Sequence, residues 1–167
     1  GTTPVTVTGH ATTTFTLSPA PTPGTYQVTA LQDANGCNAT NLGGSVNVVE
    51  NALPTATIVG GGPVCAGSPL PGVTFNFTGA TPFTFTYTDG TTPVTVTGHG
   101  TNSYTIPAAG VGTYSITSLI DGNGCSATSF GTPVTVVVNP LPTVSSVAGG
   151  GTVCAGSPLP NVTFTFT

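Results

Sequence analysis

The sequence predicts an all-β protein built from antiparallel β-sandwiches repeated in tandem, end to end. Three observations carry that reading. The composition favours strands, the sequence repeats itself at about 89 residues, and apolar residues alternate with threonine at period two. Thr and Val dominate, both β-branched and suited to a pleated, half-buried surface. Soluble helices draw on Glu, Lys, Arg, Leu and Ala, and apart from Ala these are scarce here. The 24 Gly and 16 Pro supply turns without a collagen-like three-residue period. A hydrophobic fraction of 37% with few charges is not the signature of disorder.

The repeat is explicit. Gly1 to His10 reads GTTPVTVTGH, and Gly90 to His99 is identical, 89 residues later. DANGCNAT (Asp33 to Thr40) returns as DGNGCSAT (Asp121 to Thr128), 88 residues later. VCAGSPLPGVTFNFT (Val64 to Thr78) returns as VCAGSPLPNVTFTFT from Val153 to Thr167. NALPT (Asn51 to Thr55) returns as NPLPT (Asn139 to Thr143). Such self-similarity marks a repeat architecture. Prolines hold the linkers extended and set the boundaries there. Residues 1–50 are then the C-terminal part of one repeat, 53–138 a complete repeat, and 142–167 the N-terminal part of the next. The piece not duplicated is GATPFTFTYTD, Gly79 to Asp89. The expectation is a two-repeat window on a longer array; a second reading has the partial repeats complete one another between chains.

Within 53–138 the strands follow from alternation. VTFNFT (73–78), FTFTYT (83–88), VTVT (94–97), YSITSL (114–119) and VTVVV (134–138) are the clearest, and TATIV (55–59) and SYTI (103–106) the weaker two. Turns are expected at GGG (60–62), GSPLPG (67–72), TDG (88–90) and DGNG (121–124). Seven short strands in under 90 residues predict a seven-stranded antiparallel sandwich. Phe75, Phe77, Phe83, Phe85, Ile116 and Val136 are the predicted core. Tyr26 and Tyr114 each follow Gly-Thr at the start of the sixth strand. That is the place of the tyrosine corner of immunoglobulin-like sandwiches, although core packing alone also puts Tyr there.

GTYQVTALQDANGC (Gly24 to Cys37) and GTYSITSLIDGNGC (Gly112 to Cys125) resemble the closing half of a known group of repeats. VCAGSPLP with TGATPFTFTYTDG resembles their opening half. These are the Ig-like, PKD-like and SprB-type repeats of Bacteroidetes-type giant surface adhesins and gliding-motility proteins. The likeness covers essentially the whole chain; its most specific parts are the paired Cys positions and D-x-N-G-C. Phe83 stands where many such repeats carry Trp. The resemblance implies export by the type IX system, a cell-surface or extracellular location, a stalk or adhesive role, and no enzyme.

Charge narrows the partners. Lys and Arg are absent, only Asp33, Glu50, Asp89 and Asp121 are acidic, and the net charge is −4. Without a cation, neither nucleic-acid phosphates nor an anionic membrane is an expected partner. No run of 18 apolar residues predicts membrane insertion. No charged-then-apolar leader is visible and Gly1 falls mid-pattern, so the N-terminus is expected further upstream. A trypsin-like protease finds no site, which suits a durable material outside the cell; drift in a much-copied repeat explains it too.

No catalytic, cofactor or metal site is expected. Ser68 in AGSPL lacks the G-x-S-x-G elbow and a base. His10 and His99 are one repeat position in a VTGH turn, with no C-x-x-C or H-x-x-x-H spacing. The glycine runs precede no GK[ST]. Asp33 and Asp121 offer one carboxylate each, few for calcium and apt for Asx turns. Sequons at Asn38, Asn76 and Asn161 keep glycosylation open. Cys37, Cys65, Cys125 and Cys154 are disulfide candidates in an exported chain. Pairing between neighbouring domains, at each junction, is favoured over Cys65 with Cys125. Those two are predicted at opposite ends of one sandwich. The expected function is a structural repeat of a long surface filament or adhesin stalk, with neighbouring repeats as partners and surface glycans as further ones. The alternative is a carbohydrate-binding or spacer module of a secreted multidomain protein; four Tyr and no Trp argue against it.

Overall fold

In the computed structural model, residues 4–18 and 22–167 are described, and they are all-β with no helix. Gly1 to Thr3 of the repeated decapeptide lie outside them. The contacts divide the chain into Gly1–Ala52 and Leu53–Thr167. The first unit holds β1 (Gly24–Gln27) and β2 (Ser45–Val48), antiparallel, with Tyr26 opposite Val46. The second holds β3 (Thr55–Gly60), β4 (Gly62–Cys65), β5 (Val73–Thr78), β6 (Phe83–Thr88), β7 (Pro93–His99), β8 (Ser103–Ile106), β9 (Gly112–Ile120), β10 (Val134–Asn139), β11 (Val144–Gly149) and β12 (Val162–Phe166).

Residues 55–139 form two sheets, β3-β5-β8 and β4-β10-β9-β6-β7. Their inner faces meet through aromatic rings. Phe77 lies 5.2 Å from Phe83 and 4.7 Å from Phe85, centre to centre. All six predicted core residues are buried, and Phe75, Phe83, Phe85 and Val136 are fully so. On β5 the alternation is strict: Val73, Phe75 and Phe77 point inward, while Thr74 and Asn76 are half-exposed. On the outer faces threonines pair across strands, Thr74 with Thr105 and Thr86 with Thr95, both at 2.9 Å. These hydroxyl pairs supply polar surface where charged side chains are nearly absent.

Two expectations need correction. The sandwich was expected to have seven antiparallel strands. It has eight, and β4 runs parallel to β10, with Gly62 opposite Val136 and Cys65 opposite Asn139. The glycines at 60–62 were read as a turn; they carry the chain from one sheet to the other. Gly60 has φ +94°, and a Cβ there would collide with the Gly72 carbonyl. Gly61 has φ +70° with the Thr135 carbonyl in the same position. Only glycine tolerates both the angle and the approach. β9 adds a feature that alternation alone does not show. Simple alternation places Ser118 inside, but the register on β6 shifts between Thr86 and Tyr87, so that Leu119 turns in and is buried. A one-residue bulge re-aims every side chain beyond it.

The 88- and 89-residue offsets meet in a similar feature. β11 and β12 copy β3 and β5, with Thr143 bonded to Thr167 as Thr55 is to Thr78. The extra residue of this copy is absorbed by a register shift between Val144 and Ser146.

Candidate functional site

The chemistry-bearing residues form turns. In the complete repeat Asp121 is buried and accepts bonds from the N–H groups of Ala80 (3.2 Å), Asn123 (3.0 Å) and Cys125 (2.9 Å). Burial pushes its carboxyl up, and the donors of Ala80, Cys125 and Asn123 outweigh that, leaving its pKa below the usual carboxylate value. Asp33 builds the same Asx loop from Asn35 and Cys37, and the Cys37 N–H leads in lowering its pKa. Asp33 is thus occupied by its own loop, the turn role expected of it, and Asp121 by its own loop together with the Ala80 N–H. Among the described residues no cluster of three His, Cys, Asp or Glu side chains could hold a metal.

His99 is the last, half-buried residue of β7 and not the turn residue expected, and each histidine bonds to the carbonyl four residues on. His99 Nε2 lies 2.9 Å from the Ser103 carbonyl, and His10 Nε2 lies 2.7 Å from that of Thr14. His99 also meets Phe77, Phe85 and Tyr104 edge-on. Tyr114 donates its hydroxyl to the Gly110 carbonyl at 3.1 Å, and Tyr26 does so to Thr22 at 2.7 Å. A bond to the backbone four residues upstream is the mark of a tyrosine corner, beyond what core packing requires. Tyr87 and Tyr104 sit in one aromatic row, where burial and the neighbouring Tyr104 push the Tyr87 hydroxyl up to about 12.

All four cysteines are free. Cys65 ends β4 beside Asn139, and Cys125 lies in the loop after β9. The pair Cys65–Cys125 is not formed, because β9 separates the two positions. Gly112 opens β9 at the Asn139 end, and nine residues at ~3.3 Å each put Ile120 about 26 Å away. A disulfide needs Cα atoms within about 7 Å. Of the sequon asparagines, Asn38 and Asn161 are exposed, and Asn76 lies half-buried on β5.

The concave feature that sequence reasoning did not anticipate is in the first unit. An open groove of about 730 Å³ is lined by Val5, Val7, Phe15, Leu17, Val28 and Leu31, with His10, Tyr26 and Val46. One repeat later these positions are Val94, Val96, Tyr104, Ile106, Ile116, Leu119, His99, Tyr114 and Val134. There all but Val94 and His99 belong to the core around Phe75, Phe77, Phe83 and Phe85, and the His99 ring meets Phe77 and Phe85 edge-on. A smaller hollow at Leu31, Asp33, Cys37 and Ala39 matches the place where Ala80 meets Asp121. The groove is therefore the half-core of a repeat without the equivalents of β3, β4, β5 and β6. The signal for it was present in the sequence, in the repeat offset of each apolar position. Comparison with protein-family models and with curated proteins finds no match.

Proposed function

We propose that the chain is a structural segment of a long extracellular filament or adhesin stalk, made of tandem immunoglobulin-like repeats arranged end to end. One observation carries the reading: near-identical repeats whose chain ends leave from opposite poles. Pro54, before β3, lies at the pole of Gly79 and Asp121, whereas β10 ends at Asn139 beside Cys65, beyond the opposite end of β9. A repeat that begins at one pole and ends at the other extends an array. One with both ends at the same pole folds it back. The Pro-containing linkers at 51–54 and 139–142 are four residues long and leave little slack. The likeness of GTYSITSLIDGNGC to bacterial surface repeats supports the same reading, as does a cation-free surface. The cysteines suit it too, since Cys65 and Cys125 stand at the two poles where neighbours meet. The sugar-binding alternative lacks support: Tyr87, Tyr104 and Tyr114 all turn into the core of the complete repeat.

Electron microscopy of the protein tests this. A thin filament advancing about 35–45 Å per repeat is expected from strands of six to eight residues plus turns at ~3.3 Å per residue. Compact, freely jointed particles would contradict it.

A further inference from the structure

The two sheets of the complete repeat bring one pair of tyrosines together. Tyr87 stands on β6 of the larger sheet and Tyr104 on β8 of the smaller one. Their ring centres lie 6.0 Å apart with the planes inclined at 42°, and no other two tyrosine rings meet among the described residues. Both side chains are half-buried, within reach of a small oxidant. Phe75 lies 5.1 Å from Tyr87 and Phe85 lies 5.3 Å from Tyr104, so the pair is held against the core. Neither phenylalanine has an O–H to lose. Met and Trp, which would divert an oxidant, are absent from the whole sequence. Every residue of this arrangement lies inside the complete repeat.

We infer that Tyr87 and Tyr104 are a site of oxidative cross-linking, where a peroxide-driven, one-electron oxidant joins them into a dityrosine that ties the two sheets. Each phenol gives one electron to the oxidant and its O–H proton to water. The two phenoxyl radicals then couple, and a bond forms between one Cε of each ring, beside the hydroxyls. The hydrogen on each joined Cε moves through solvent to its own phenolic oxygen, and both rings are aromatic again. The pair has lost two hydrogens in all, and one hydrogen peroxide takes up those two protons and two electrons to become two waters. Burial first, and then the Tyr104 side chain, hold the Tyr87 hydroxyl up at about 12. At neutral pH it therefore reacts as the phenol, losing proton and electron together. Rings already held in contact need no diffusive encounter to couple. The product closes the segment 87–104, with β7 inside it, and such a closure removes entropy from the unfolded chain. One repeat earlier Phe15 stands at the place of Tyr104, so the staple is not common to every copy. The inference does not rest on the filament reading, since it needs only the two rings and an oxidant.

Oxidation of the whole chain with a haem peroxidase and hydrogen peroxide tests it. The four native cysteines are replaced by Ser, so that no thiol intercepts the radicals. The expected product is a monomer with dityrosine fluorescence and a mass lower by two hydrogens. A chymotryptic digest should yield peptides joined between Tyr87 and Tyr104. Tyr87→Phe and Tyr104→Phe keep the rings and their packing, and each should lower the monomer's dityrosine fluorescence several-fold, whereas Tyr26→Phe should leave it unchanged. The oxidised monomer should also unfold at higher urea than the untreated chain. Dityrosine confined to covalent dimers overturns the inference, as does equal fluorescence in the Tyr104→Phe chain. So does oxidation that yields no dityrosine at all.

Discussion

The same seven residues, PVTVTGH, stand at two places among the described residues and have two structures. Pro93 to His99 is a seven-residue strand, while Pro4 to His10 forms none. What differs is the partner. β7 is bonded to β6, with Val96 opposite Phe85 and Val94 opposite Tyr87, and no such strand lies among the described residues of the first unit. Three other positions repeat the lesson. Residues 14–17 are irregular where β8 is a strand, because β5 has no counterpart beside them. Residues 151–154 are irregular where β4 is a strand, because β10 has none. β1 stops at Gln27 where β9 continues to Ile120, the stretch along which β9 meets β6. By contrast β11 and β12 pair with each other, and both form. Val-Thr alternation is thus a capacity for strand that a hydrogen-bonded, apolar neighbour realises.

Local devices behave in the opposite way. The bond from His to the carbonyl four residues on, the Asx loop at Asp33 and Asp121, and the tyrosine corner all appear in both units. Each closes within a few residues and needs no partner strand.

The comparison can be broken from the complete side. Phe85 is fully buried on β6, between β9 and β7 in the larger sheet, so Phe85→Ala should cost about 3–5 kcal/mol in urea or guanidinium unfolding. Circular dichroism should show loss of strand signal as residues 93–99 come to resemble residues 4–10. A loss below 1 kcal/mol would mean that β6 is not the keystone.

A smaller effect separates the two corners. Tyr114→Phe deletes a bond inside a packed domain and should cost about 0.5–1.5 kcal/mol. Tyr26→Phe makes the same deletion beside an open groove and should leave the unfolding curve of the complete repeat in place. Equal effects would show that the corner stabilises the repeat independently of the core around it.

The smallest effect concerns acid. The Asp121 pKa is depressed on folding, so its contribution is present above the unfolded value near ~3.9 and is lost as pH falls through the folded one. Thermal melts should therefore fall below about pH 4, and Asp121→Asn should flatten that slope while Asp89, also depressed, keeps part of it. An unchanged acid limb would remove Asp121 from the account.

Much of the fold was legible in the sequence. Alternation located the strands of the complete repeat and all six core residues named from it, because buried Phe and Val at every second position leave one choice of face. Strand β4 was not legible, since GGG reads equally as a turn and as a kink. The bulge that turns Leu119 inward was also hidden, because it is set by the register with β6. The groove was legible only as an offset: its residues look like core, and in the first unit they lack the strands that would bury them.

The most direct test of partner dependence is amide hydrogen exchange on the 167-residue chain, with and without a synthetic peptide of sequence Gly79 to Asp89. The account predicts protection at Val94 to Thr97 and none at Val5 to Thr8, with protection appearing at Val5 to Thr8 once the peptide fills the place of β6. Equal protection of both segments without peptide, or no change on adding it, would contradict the claim that the neighbouring strand decides which copy of the sequence becomes a strand.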